Sequence, residues 1–283
     1  MKSSVLGLEC VDVRKNSALT ATDRARVKAQ VLPAVKSYLA LEELLGLDSA
    51  DRDKPFPPEG LSDLAAAEDL AGKLRRAWGL GRDPIPDMAE LLEEHGIRVF
   101  VLPLPDDVSG VACFARRSGN RPPVPITVVN RNHNVERRRN TLGHELARRV
   151  IGRGSEVDRT KAANRFAGAF LVPREHLRAK VGNKRKVLQY DNLIKLKHLY
   201  RVSGACLLVR IQQVGILRKL RMFRVFEQGL RAWSAFEPEP LDDQGSQDKP
   251  QRFERLCRQA LDAQLISPQT ASELLDLRAN GAR

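Results

Sequence analysis

Apolar and polar residues alternate or recur along this chain in patterns that mark most of its elements. Val5-Leu6-Gly7-Leu8-Glu9-Cys10-Val11-Asp12-Val13 alternates, which predicts a strand within residues 1–14. Val27, Val31, Val35, Leu39, Leu41, Leu44 and Leu45 then recur at helical spacing, with Pro33 expected to break or restart that helix. Asp51 to Gly60 holds Pro55, Pro57 and Pro58 and reads as a linker. Helices are predicted over Leu64–Trp78 and Met88–Glu94, the second ending at Gly96. Strands follow over Ile97–Leu104, Val111–Ala115 and Ile126–Val129. Further helices carry His144, span Lys161–Leu171 up to Pro173, and cover Leu188–Tyr200 and Ser203–Val214.

Beyond Gly215 the pattern weakens. Leu220–Trp233 fits a strand pair or a short helix equally well. Glu237–Pro250 is acidic and proline-rich, and is expected to be mobile. Phe253–Leu265 and Pro268–Leu277 read as two short helices, with Ser267 as N-cap and Pro268 in the first turn. These shifts suggest three successive parts: 1–60, 61–220 and 221–283. There is no internal repeat.

The apolar runs are far shorter than a membrane span. No signal-peptide core follows Lys2. A cytoplasmic protein with no membrane partner is expected. Cys10, Cys113, Cys206 and Cys257 are widely separated, so the expectation is reduced thiols, mostly buried, in neither a zinc knuckle nor a disulfide framework. The formal net charge of +13 favours loose attraction to nucleic acid or to an acidic partner. Basic runs occur at Arg137–Arg139 and Lys184–Lys186. Aromatic residues make up only 5%, so platforms for stacking bases are scarce and any nucleic-acid binding is expected to be non-specific.

His144-Glu145-Leu146-Ala147-Arg148 is the candidate chemistry. The zinc-peptidase motif H-E-x-x-H places two imidazoles one helical turn apart, with a general-base Glu beside them. Here the second imidazole position carries Arg148. A guanidinium keeps its proton and offers no lone pair, so it does not ligate a metal.

The surrounding residues carry a resemblance. Pro125–Asn130, Thr141-Leu142-Gly143-His144-Glu145-Leu146 and Ala162–Pro173 follow in an order similar to that of the ImmA/IrrE family of metallo-endopeptidases. Trp78–Gly81, Ile85-Pro86, Leu91–Ile97 and Tyr200–Ser203 fit the same frame, so the likeness runs from about Leu64 to Gly215. The resemblance implies an α+β fold: a gluzincin-like minimal metallopeptidase domain, here with a helical N-terminal segment and a helical C-terminal tail. It implies zinc as cofactor, and as substrate a helix-turn-helix repressor of the XRE type that controls stress or mobile-element genes. Many relatives carry a helix-turn-helix of their own; here such a partner is expected to be a separate protein.

Carried over residue by residue, the family's first zinc ligand falls on His144 and its general base on Glu145. The second ligand falls on Arg148 and the third on Thr160, four residues before Asn164. Arg148 is expected to pair with Glu145 across one turn and to put its charge where the metal would sit. Replacement ligands could come from Glu156, Asp158, His133 or His176, each of which reads more simply as an exposed polar residue. His198 reads as a surface or packed residue, and His95 as a helix C-terminal one. Phe166, Phe170, Leu171, Trp78 and Trp233 read as packing residues. Ile126, Thr127, Val128 and Val129 read as a core strand; in peptidases of this kind an edge strand also grips extended substrate by backbone pairing, a use that needs no metal.

The expected function is therefore regulatory. A zinc-free family relative, inactive as an enzyme, would bind a helix-turn-helix repressor or another peptide-bearing partner. Two alternatives stand beside it: an active zinc endopeptidase with an unusual ligand set, and a DNA-binding regulator using its basic surface and C-terminal helices.

Overall fold

The computed structural model describes residues 5–15, 21–47, 56–119, 121–182, 189–216, 231–233, 235–243 and 248–280. In chain order the elements are β1 (Val5–Lys15), α1 (Ala21–Leu44), α2 (Leu64–Ala77), α3 (Met88–Glu94), β2 (Arg98–Leu102), β3 (Val108–Arg117), β4 (Val124–Asn130) and α4 (Val135–Val150). Then come α5 (Arg159–Leu171), α6 (Arg174–Val181), α7 (Tyr190–Tyr200), α8 (Gly204–Val214), α9 (Arg252–Asp262) and α10 (Pro268–Asn280). The α+β class read from the sequence is the class observed.

The chain folds as two compact units, each assembled from separated stretches. One takes residues 1–55, 87–133 and 246–283; the other takes 56–86 and 134–245. Neither follows the sequence divisions at 60 and 220. Composition marks where the chain changes character, whereas these units are closed by contacts between residues far apart in sequence.

The first unit holds a four-stranded sheet in the order β1-β3-β4-β2. β1 and β3 are antiparallel, as are β3 and β4, while β2 runs parallel to β4. Val27, Val31, Val35 and Leu39 of α1 share one buried core with Phe100, Val111 and Val128 of the sheet and Phe253 and Leu256 of α9. Tyr38 lies between Phe253 and Phe100, at ring-centroid distances of 5.2 and 5.4 Å. Contrary to expectation, α1 runs unbroken through Pro33. An interior proline costs a helix about 3 kcal/mol; the apolar face of α1 buried on both sides of it offsets that.

A polar latch ties this unit's chain ends together. Arg98 Nε lies 2.8 Å from Glu42 Oε1, with both side chains buried. Arg252 bonds to the same carboxylate and donates to the Tyr38 hydroxyl at 2.9 Å. Its backbone N–H reaches Glu93 at 3.2 Å. Burial and the Glu93 carboxylate push the Tyr38 phenol well above its usual range, so it stays protonated. Asp248 accepts from the Met88 N–H at 2.8 Å, and Asp87 accepts from the Asp248 N–H at 2.9 Å.

The second unit is helical, around Leu70, Leu74, Leu142, Leu146, Phe166, Phe170, Leu207 and Ile211. Phe166 and Phe170 stack at 5.6 Å, and Trp78 meets Phe170 edge-on at 5.8 Å, so all three pack as read from the sequence. The buried Arg75 fastens the loop after α2, donating to the carbonyls of Phe170, Gly81 and Asp83. Helix α6, which the apolar pattern did not reveal, follows directly on Pro173.

Two segments read as loose are docked. Glu59, within the predicted linker, pairs with the chain just past α4: its N–H donates to Val150 and its carbonyl accepts from Gly152. Residues 51–55 of that linker lie outside the described residues. Residues 237–243, expected to be mobile, are held by buried charge. Lys197 Nζ donates to Glu136 Oε1 at 2.7 Å and to the Glu239 carbonyl at 2.8 Å. The Leu241 N–H reaches the same Glu136 oxygen, and Glu237 accepts from the Gly204 N–H, both at 2.8 Å. Gly204 has no room for a side chain, since a Cβ there would lie 2.7 Å from the Trp233 ring and 3.0 Å from Pro238. Most of the Leu220–Trp233 stretch lies outside the described residues; 231–233 are helical.

Candidate functional site

Helix α4 starts at Asn134, whose side chain accepts from the Arg137 N–H at 3.0 Å. Leu142, Leu146 and Val150 are spaced to keep one side of the helix in the core. Gly143 lets α5 approach closely: a Cβ there would meet the Ala167 Cβ at 3.3 Å and Leu171 Cδ1 at 3.5 Å. The next two residues, His144 and Glu145, are both buried.

His144 Nδ1 lies 3.3 Å from Glu145 Oε1. In the tautomer with a proton on Nδ1, that nitrogen donates to the carboxylate and Nε2 is left with a lone pair. Glu145 Oε2 has no hydrogen-bond partner among the described residues. The pair can bind and move a proton, and His144 can offer one lone pair.

Helix α5 starts at Asp158, which accepts from the Lys161 N–H at 2.8 Å. That hydrogen bond holds the Asp158 carboxyl below the usual carboxylate range. Thr160 stands exposed in the first turn, and Arg148 Nη2 donates to its hydroxyl at 2.9 Å. Arg159 reaches back to the carbonyls of Arg148 and Ile151, both at 3.4 Å.

The two positions onto which the resemblance carries the second and third ligands therefore touch each other. Glu145 meets His144 beside it, and Arg148 meets Thr160 on the next helix. Arg148 is half-buried, whereas Thr160 is exposed at the start of the next helix.

The proposed replacement ligands have other work. Asp158 is a helix cap, and Glu156 is exposed with its backbone N–H on the Leu61 carbonyl at 2.9 Å. Ser155 Oγ accepts from the Leu61 N–H at 3.1 Å and donates to Gly152 at 2.8 Å, so the loop is tied down where a rescue needs it to shift. His176 Nδ1 lies 2.9 Å from the Tyr200 hydroxyl, and burial lowers its pKa. His133 meets the Asp106 carbonyl at 3.2 Å. His95 closes α3, with Nδ1 2.9 Å from the Leu91 carbonyl, and His198 is exposed.

A zinc ion does not fit this donor set. A catalytic site takes three protein ligands, and here one imidazole is joined by a guanidinium bonded to a hydroxyl. Among the described residues no group of three or more His, Cys, Asp or Glu is placed to hold a metal ion.

Ile126–Val129 need a correction. β4 is an interior strand, bonded to β3 on one side and β2 on the other. Its backbone groups are already paired, so these residues are core and cannot grip a peptide by strand addition. The basic run Arg137–Arg139 also changes meaning. Arg138 and Arg139 are buried, the first pairing with Asp243 at 2.5 Å and the second bonding to the Ile85 carbonyl. Lys184–Lys186 lie outside the described residues. No helix among the described residues is long and apolar enough to cross a membrane.

An α+β fold with a buried His-Glu pair on a helix is the layout of a metallopeptidase-like domain. Residues 92–212 match the model of the IrrE N-terminal-like domain, peptidase M78, and the chain carries a domain of the ImmA/IrrE family. A comparison with curated proteins found no match.

Proposed function

We propose that this protein is a metal-free ImmA/IrrE relative that binds a peptide-bearing protein in the cytoplasm without cleaving it. The partner is a helix-turn-helix repressor of the type the family acts on, and the role is gene control. One observation carries the reading: Arg148 bonds Thr160 at 2.9 Å, so both spoiled ligand positions serve each other. A cation there repels a metal ion, and the pair holds α4 to α5 without one. The test is co-expression with a helix-turn-helix repressor encoded beside this gene, followed by intact-mass analysis. The repressor should co-purify at full length. Cleavage that stops with chelator and with Glu145→Gln would establish the second reading, a working endopeptidase, which the buried His144–Glu145 pair favours. Sequence-specific DNA binding that persists at physiological salt would favour the third, a DNA-binding regulator.

A further inference from the structure

Four helices bring three guanidinium groups to one carboxylate. Glu68 comes from α2, Arg165 from α5, Arg174 from the first turn of α6 and Arg210 from α8. Glu68 and Arg210 stand 142 positions apart in sequence, yet Arg210 Nη2 donates to Glu68 Oε1 at 2.7 Å. Arg165 Nη2 donates to Glu68 Oε2, and Arg174 Nε lies 3.6 Å from Oε1. Burial alone would raise the Glu68 carboxyl, but Arg210 and then Arg165 hold it at about 2, so it is ionised at neutral pH. Three cations against one carboxylate leave a surplus of positive charge. Glu175, next to Arg174, is exposed and acts on Arg75.

Arg210 is the deepest of the three, with a side chain only 1% exposed. Its Nε donates to the Val172 carbonyl at 2.8 Å. Its Nη1, on the same planar group as the Nη2 that holds Glu68, is buried with no hydrogen-bond partner among the described residues, and so is Arg165 Nε. A buried N–H on a cation is costly to leave without an acceptor. The cluster still reaches the surface, since the Arg174 side chain is 44% exposed and that of Arg165 is 18% exposed.

We propose that Arg165, Arg174 and Arg210 form a binding site for a phosphate-class oxyanion, either inorganic phosphate or a phosphate monoester. A dianion matches the surplus charge of the cluster, which a single carboxylate does not. Its several oxygens accept from planar guanidinium forks. Arg174 meets the ion at the surface, Arg165 and Arg210 hold it further in, and Glu68 keeps those two side chains in place. The site lies within the helical unit and does not depend on whether His144 holds a metal.

The test is calorimetric titration of the full chain with inorganic phosphate, with ionic strength held constant by chloride. One saturable site per chain is expected. Arg174→Ala and Arg165→Gln should each weaken it by roughly tenfold or more. Arg153→Ala, which removes an exposed arginine outside the cluster, should leave it unchanged. Should Arg165→Gln fold poorly, Arg174→Ala decides the matter alone. Phenyl phosphate as a competitor tells the two sources apart: displacement extends the site to esters and failure to displace confines it to the free ion, both upholding the site. The absence of saturable binding, or binding that Arg174→Ala leaves intact, would overturn the proposal. So would equal weakening by Arg153→Ala, which would reduce the effect to attraction by the net charge of +13.

Discussion

Arg148 and Thr160, twelve residues apart on successive helices, are joined by a hydrogen bond of 2.9 Å. These are the positions on which the sequence resemblance puts the family's second and third zinc ligands. Their contact shows that the last turn of α4 and the first turn of α5 lie side by side. On the proposed reading, the scaffold of a metal site is retained while its donors are changed.

If that adjacency is what a ligand set needs, restoring donors should restore binding. Arg148→His with Thr160→Glu is expected to take up one zinc per chain, measured by metal analysis after dialysis. Each single change should bind far more weakly, because two protein donors leave the ion under-coordinated.

The Arg148–Thr160 bond is solvent-exposed, so its contribution to stability is small. Thr160→Ala should cost about 0.5–1 kcal/mol in urea unfolding. A loss several times larger would mean that the pair holds more of the unit than this contact.

Lys197 and Glu136 are both fully buried and 2.7 Å apart. Lys197→Met leaves the buried Glu136 carboxylate without its lysine counter-charge and should cost about 3–5 kcal/mol. Adding Glu136→Leu should recover much of that loss. Residues 237–243 should gain protease sensitivity in the single variant, since Lys197 also holds the Glu239 carbonyl.

Glu68 gives the acid response a direction. Burial raises its pKa, but the hydrogen bond and charge of Arg210, with those of Arg165, outweigh burial and hold it at about 2. A carboxylate depressed in the folded state stabilises above its ordinary value near 4.5 and loses that contribution as pH falls towards 2. Stability measured by denaturant between pH 5 and pH 2.5 should therefore decline, and Glu68→Gln should flatten the slope.

The elements with strong periodicity were legible in the sequence. The helix of His144, the helix ending at Leu171 and the strand from Ile126 to Val129 all stand where apolar spacing put them. Local chemistry was legible too: His95 sits at the end of a helix, as read. What escaped was long-range pairing. Pro33 signals a break on its own, and only the core around Val31, Val35 and Tyr38 shows why the helix continues. Glu237 to Asp243 looks disordered by composition, yet Lys197 and Arg138 face Glu237 and Asp243 from distant helices, and the Gly204 N–H donates to Glu237. That β4 is an interior strand depends on β2 and β3 closing on both sides of it, which no pattern within residues 126–129 encodes.

Zinc titration of the purified chain against a chromophoric chelator, with bound metal counted after dialysis, tests the account most directly. The account predicts no tight equivalent in the natural sequence. One tightly held zinc per chain, lost on changing His144 to Ala, would contradict it.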